Sequence, residues 1–243
     1  MPRFFTENAP QDGYLLLTGE DARHIAKSLR MQPGEELTVC DGHGIDHACV
    51  IEQVDTDTVR ARVCRTQPSV SEPRTRVTLY MALPKNDKME LIVQKTTELG
   101  VTDIVPVLTA RCVSRPDART LEKKIDRWSK IAAEAAKQSG RGRIPRVHPA
   151  LGLGEALAAA AQADVALLLY ECEREHGLRA ALTARTPRTV SVLVGPEGGF
   201  APEEARQAQD AGLVSVSLGP RILRCETAPI AALACILYEC GDL

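Results

Sequence analysis

Through residues 1–70 apolar and polar positions alternate in short runs broken by turn residues, the period of strands with one buried face. "ELTVCDGHG" (36–44) ends such a run at the turn pair Asp41-Gly42. "HACVIEQVDTDTVRARVCR" (47–65) predicts two more strands around Asp55-Thr56-Asp57. One stretch, "GEDARHIAKSLRM" (19–31), predicts a helix. This part of the chain reads as a small, mainly β domain. "QPSVSEPR" (67–74), with two prolines and two serines, is the linker candidate.

Beyond it the pattern changes to strands alternating with helices. "RVTLYMAL" (76–83) predicts a strand, and 85–100 a helix closed by Gly100. "VTDIVPV" (101–107) predicts the next strand. A long helix is expected from near Asp117 to Gly140, with Leu121, Ile125, Trp128, Ala132 and Ala135 on one face. A helix (153–162), a strand (164–170), a short helix, a strand (189–194), a helix (202–212), a strand (214–218) and a last helix from Pro229 follow. Strands separated by helices imply an α/β fold with a parallel sheet, whose ligands bind at the carboxyl ends of its strands. The final segment "PIAALACILYEC" (229–240) is apolar on every side, so it is expected to be buried all round, with a second subunit covering what the chain itself leaves open.

Charge adds a second signal. The net charge of −2 conceals an uneven distribution: −4 over residues 1–70, +7 over 71–150 and −5 over 151–243. Cations gathered in one third of a near-neutral chain are the footprint of a polyanion binder. The eight cysteines include no C-x-x-C pair and no histidine at zinc-ligand spacing, so no metal site is indicated. Cys40, Cys49 and Cys64 sit in apolar runs, as small buried hydrophobes would. His24, His43 and His47 lie in or near turns and read as surface groups. No run of about 18 apolar residues is present, and the opening residues lack a basic-then-apolar signal pattern, from which a cytoplasmic protein with no membrane association is expected.

The chemistry concentrates in two loops at successive strand ends, "LVGPEGGF" (193–200) and "SLGPRILRCETAP" (217–229). Each alone would pass for a βα turn. Together they combine several glycines with Glu197, Arg224 and Glu226, and charges do not gather at apolar sheet ends without partners. A phosphate cradle would carry Lys and Ser/Thr after its glycines, and the dinucleotide fingerprint is also missing. An acidic, glycine-rich loop suits a ligand with hydroxyls, an amide-like edge or positive charge, which describes a nucleoside-like cofactor. The residues alone leave open a non-catalytic RNA-binding protein and a small-molecule enzyme.

"GPEGGF" (195–200) followed by "LGPRILRCETA" (218–228) resembles the RsmE-type family of ribosomal RNA methyltransferases, members of the SPOUT class. "KMELIVQKTTELGV" (88–101), "EAAKQSGRGRIPRV" (134–147) and "HIAKSLRMQPGEELTVCDGHG" (24–44) share the likeness, which spans nearly the whole chain. Cys225 departs from it, since the family often has Thr there. The resemblance implies a PUA-like β-barrel domain over residues 1–70, which binds RNA, and a SPOUT-type methyltransferase domain over 73–243. It further implies a trefoil knot formed around 192–200 and 215–228, and a homodimer. S-adenosylmethionine is the implied cofactor, and N3 of a uridine in 16S ribosomal RNA, free or in the small ribosomal subunit, the implied target. Carried onto this chain, the cofactor site comprises Leu169, Val194, Gly195, Pro196, Glu197, Gly198, Gly199, Leu218, Gly219, Ile222, Leu223, Thr227 and Ala228.

Taking a proton from uracil N3 leaves negative charge on the uracil oxygens, so Arg224 is the expected stabilising cation, with Glu226 orienting it or accepting the proton. Glu197 is expected to meet the cofactor's ribose or amine. The RNA contacts are expected from Arg3, Arg30, Lys85, Lys88, Lys137, Arg141 and Arg143, and the few stacking candidates are Phe4, Phe5 and Phe200.

Overall fold

The computed structural model describes residues 1–183 and 187–243. The chain divides into two compact units, Met1–Glu72 with Ala136–Ile144, and Pro73–Ala135 with Pro145–Leu243.

In the first unit, β1 (Arg3–Phe5), β2 (Tyr14–Thr18), β3 (Glu36–Cys40), β4 (Ile45–Val54) and β5 (Thr58–Pro68) form a five-stranded sheet in the order β1-β3-β4-β5-β2. All neighbours are antiparallel except β1 and β3. The alternation in sequence becomes alternation in space. Leu15 and Leu17 of β2, and Val59 and Ala61 of β5, point into a core with Phe4, Leu37, Val39 and Ile51. Register shifts at Ala48/Cys49 and Ile51/Gln53 bend β4, as β-bulges do. The expected helix at 19–31 is helix α1 (Gly19–Arg23) continued by a π-helical turn, His24–Leu29, and closed by Arg30 in the left-handed region at φ 52°. Strand β5 runs through Pro68 into the expected linker.

The second unit is a parallel sheet. Strands β6 (Arg76–Ala82), β7 (Asp103–Leu108), β8 (Arg146–Val147), β9 (Leu151–Gly152), β10 (Val165–Leu169), β11 (Thr189–Val194) and β12 (Val214–Val216) run in the order β12-β10-β11-β6-β7-β8, with β9 also on β7. The helices are α2 (Lys88–Leu99), α3 (Ala118–Ser139), α4 (Leu153–Ala160), α5 (Leu178–Thr183), α6 (Pro202–Asp210) and α7 (Thr227–Glu239). Within β6, Val77, Leu79 and Met81 face a core built with Ile92 of α2, Trp128 and Ala132 of α3, and Leu233 and Ile236 of α7. Tyr80 faces the opposite core, with Leu157 of α4, Ala205 of α6 and Phe200 of the loop before α6. Both faces are thus covered, which is why these strands are apolar throughout.

Two expectations need correction here. Helix α7 buries Ala232, Leu233, Ile236 and Leu237, whereas Cys235 and Tyr238 stand exposed in the single chain, the side that the expected second subunit would cover. His47 is no surface group. It is buried in β4, its Nδ1 2.9 Å from Thr66 Oγ1, because its position in the alternation faces inward. Cys40 and Cys49 are buried, but Cys64 is exposed because the outward face of β5 claims it. Among the described residues no helix is long and apolar enough to cross a membrane.

Candidate active site

Strands β11, β10 and β12 end side by side, and the segments leaving them surround a cleft of about 560 Å³. Of the expected cofactor residues, Leu169, Val194, Gly195, Pro196, Glu197, Gly198, Gly199, Leu218, Gly219, Ile222, Leu223 and Ala228 line it, as does Arg224. Thr227 and Glu226 do not, although both lie at the start of α7 directly beside the lining Cys225 and Ala228.

The loop after β11 is held from several sides. Pro202 opens α6, and the buried Glu204 accepts hydrogen bonds from the N–H groups of Ala201 (2.9 Å) and Ala110 (2.7 Å), tying the segments after β11 and β7 together. Arg111 donates to the Gly198 carbonyl at 2.8 Å. Gly199 sits at φ 64°, in the left-handed region that favours glycine, and a Cβ there would make the Glu171 carboxylate shift. Phe200 packs into the core at 2% exposure and is not available for base stacking; Phe4, at 3%, is likewise withdrawn.

Lys88 organises the charges. Its Nζ lies 3.1 Å from Glu197 Oε1 and 3.1 Å from Glu226 Oε2, bridging the loop after β11 to the start of α7. Glu197 also accepts the Lys85 backbone N–H at 3.1 Å, and the Cys225 thiol donates to Glu226 at 3.3 Å. These bonds with Glu226 and Glu197 hold the Lys88 ammonium above its ordinary pKa. Burial disfavours charge on Glu197, but its own backbone N–H, Lys88 and Lys85 prevail and keep the carboxyl below the usual range. The same balance of burial against its own N–H, Lys88 and Cys225 lowers Glu226. Burial pushes the Cys225 thiol up to about 12, so it stays a neutral donor. The expected pairing of Arg224 with Glu226 is therefore replaced by one with Lys88. Arg224 is exposed and makes no ion pair among the described residues. A carboxylate with a depressed pKa is also a weak base, which disfavours Glu226 as proton acceptor.

The expected RNA-contacting cations scatter. Arg3 forms a two-pronged pair with Asp46 (2.7 and 2.9 Å), and Arg141, 2% exposed, is paired with Glu72 at 2.7 Å. Lys137 is paired with Asp21 at 3.0 Å, and Lys88 belongs to the cleft. Arg3 and Arg141 are structural ion pairs, because burial without a carboxylate partner would be prohibitive. Arg30 and Lys85 remain exposed, and Arg143 is half-buried, donating to the His43 carbonyl at 3.0 Å. Sequence reasoning missed Tyr170, Glu171 and Arg174, which also line the cleft. Their signal was position, since they follow the carboxyl end of β10.

Comparison with known proteins gives a consistent result. An RNA methyltransferase domain model matches residues 71–237 and an RNA methyltransferase PUA domain model residues 17–64. The chain is 36% identical to the ribosomal RNA small subunit methyltransferase E of Bacillus subtilis, over 98% of this chain and 97% of that one. It is also 36% identical to the protein of that name from Mycobacterium bovis, over 96% and 90% of the two chains. The crystal structure of ribosomal RNA small subunit methyltransferase E from Neisseria gonorrhoeae, bound to S-adenosyl methionine, matches with a TM-score of 0.86 at 34% identity, covering 98% and 97% of the two chains.

Proposed function

Since the chain belongs to the ribosomal RNA small subunit methyltransferase E family, we propose that it transfers a methyl group from S-adenosylmethionine to N3 of a uridine in 16S ribosomal RNA. The observation that carries this is the cleft at the ends of β10, β11 and β12, with its paired glycine loops and its carboxylates. The residues fit the cofactor. Leu169, Val194 and Val216 offer an apolar wall, and the main chain of Leu218, Ile222 and Leu223 forms no hydrogen bond among the described residues, leaving N–H and C=O groups for an adenine edge. Glu171 and Glu197 supply negative charge for hydroxyls and for a cationic sulfonium or amine. When bound, S-adenosylmethionine supplies an electrophilic methyl group.

The chain's own residues then have distinct tasks. The glycine loops fix the site's shape, so that binding aligns the reactants. Arg224, at the cleft and without an ion pair among the described residues, stabilises the negative charge that develops on the uracil oxygens. Glu197, held ionised by Lys88, gives the cleft a negative side, and Glu226 holds Lys88 from just outside it. The exposed Arg30 and Lys85, with the half-buried Arg143, are the remaining candidates for RNA phosphates.

A trefoil knot over 192–200 and 215–228 is part of this reading. Its support is the path of the chain: after β12, at the edge of the sheet, α7 returns to pack on β6 and β11, while Ser217 is bonded to His176 and Leu178. A homodimer covering the open face of α7, and a cytoplasmic location beside the ribosome, complete the proposal.

The test is direct. Small ribosomal subunits from cells lacking the gene are incubated with the protein and S-adenosylmethionine, and modified uridines are mapped by mass spectrometry. One restored N3-methyluridine is expected. RNA binding with no calorimetric heat from S-adenosylmethionine and no methyl transfer would refute catalysis and favour a pure RNA-binding role.

A further inference from the structure

Resting on that proposed methyl transfer, the cluster around Lys88 carries a role that the cleft's shape alone does not assign. Lys88 is the first residue of α2, Glu197 belongs to the loop after β11, and Glu226 stands immediately before α7. Lys88 lies more than 100 residues from either carboxylate in sequence, yet its ammonium touches both at 3.1 Å. Its neighbours are Glu197, Glu226 and the Cys225 thiol, 3.7 Å from Nζ, while the Lys85 backbone N–H shares Glu197. The side chain is only 27% exposed, and both its contacts are internal, so it is poorly disposed to serve an RNA phosphate. Glu197 lies inside one cofactor loop, and Glu226 follows Arg224 by two residues in the other. Whatever fixes these two carboxylates fixes the spacing of the two loops.

We propose that Lys88 is a positioning residue: by clamping Glu197 to Glu226 it sets the separation of the two glycine loops and thereby the placement of Arg224 at the reacting base. Without the cation, two like charges would face each other beside the cleft and push the loops apart. A displacement of that kind, on the order of an ångström, costs about 100-fold in rate when chemistry depends on alignment.

The experiment compares Lys88→Gln and Lys88→Arg with the unaltered chain, all full length, on small ribosomal subunits. Lys88→Gln should lower kcat about 100-fold while leaving the RNA KM and its salt dependence nearly unchanged. It should also speed amide hydrogen exchange over 195–200 and 224–228. Its acid limb of kcat should move to higher pH, since Glu197 and Glu226 lose the cation that keeps them ionised. Lys88→Arg, which can still span two carboxylates, should recover most of the rate and exchange protection. A raised RNA KM with a shallower salt slope and unchanged kcat would make Lys88 a phosphate contact and overturn the proposal. Unchanged exchange in Lys88→Gln would overturn it too, as would a Lys88→Gln chain that fails to fold while Lys88→Arg folds, for that would reveal a role in stability. Absence of methyl transfer by the unaltered chain is a separate outcome: it speaks against the enzymatic reading, and the exchange comparison still judges the clamp.

Discussion

Arg224 and Arg141 carry the same guanidinium into opposite circumstances. Arg141 is buried against Glu72, so its charge is spent on holding the chain. Arg224 is exposed at the cleft and has no carboxylate of its own among the described residues, so its donors are free for a substrate. Replacing Arg224 with alanine should therefore lower kcat by about 100- to 1000-fold, the effect of losing one donor to a developing oxyanion. The affinity for S-adenosylmethionine, measured by calorimetry, should change little. Unchanged turnover would remove Arg224 from the mechanism. This contrast lay beyond the reach of sequence reading. The glycines, prolines and charges of the two loops were legible because they act locally, through turn geometry and strand ends. The partners were not: Lys88 meets Glu197 and Glu226, and Arg3 meets Asp46, across long separations that no local pattern encodes.

Strands and helices were more readable than their partnerships. Hydrophobic period placed α2, α3, α4, α6 and α7 to within a few residues, because apolar stripes and terminating glycines are local signals. For α7, composition alone does not say which side of an apolar helix the chain itself covers and which it leaves open. The β1–β3 pairing brings Arg3 beside Asp46 of β4, and that pair can be tested at this scale. Removing Arg3 by an alanine substitution leaves a buried carboxylate with its main partner gone, which should destabilise the protein by about 3 kcal/mol in a denaturant titration. Burial opposes the charge on Asp46, but Arg3 and Cys40 more than offset it, so its folded pKa lies below the unfolded one. The stabilisation is therefore complete above the ordinary aspartate range, near pH 4, and is lost as pH falls through the folded value. Parent and Arg3→Ala stabilities should converge in acid. A constant difference down to strongly acidic pH would show that the pair's charge is not what matters.

At the scale of the molecule, the uneven charge and the open face of α7 concern what the chain meets. Tyr238 is 68% exposed near the end of a helix whose 228–237 segment is apolar throughout, an arrangement suited to a self-complementary contact. Tyr238→Arg should shift the protein from dimer to monomer in light scattering. A parent chain that is already monomeric would dismiss the contact. One feature of the chain path bears on how such a protein can change over time. Helix α3 begins in the second unit and ends in the first, whose residues Ala136–Ile144 include Arg141, the partner of Glu72. The backbone therefore crosses from one unit to the other three times, not once. Neither unit corresponds to a continuous stretch of gene. A recombination event that grafted residues 73–243 onto a different RNA-binding module would carry Arg141 away from Glu72. Such shuffling must inherit both segments together, which ties the history of the two units to a single lineage.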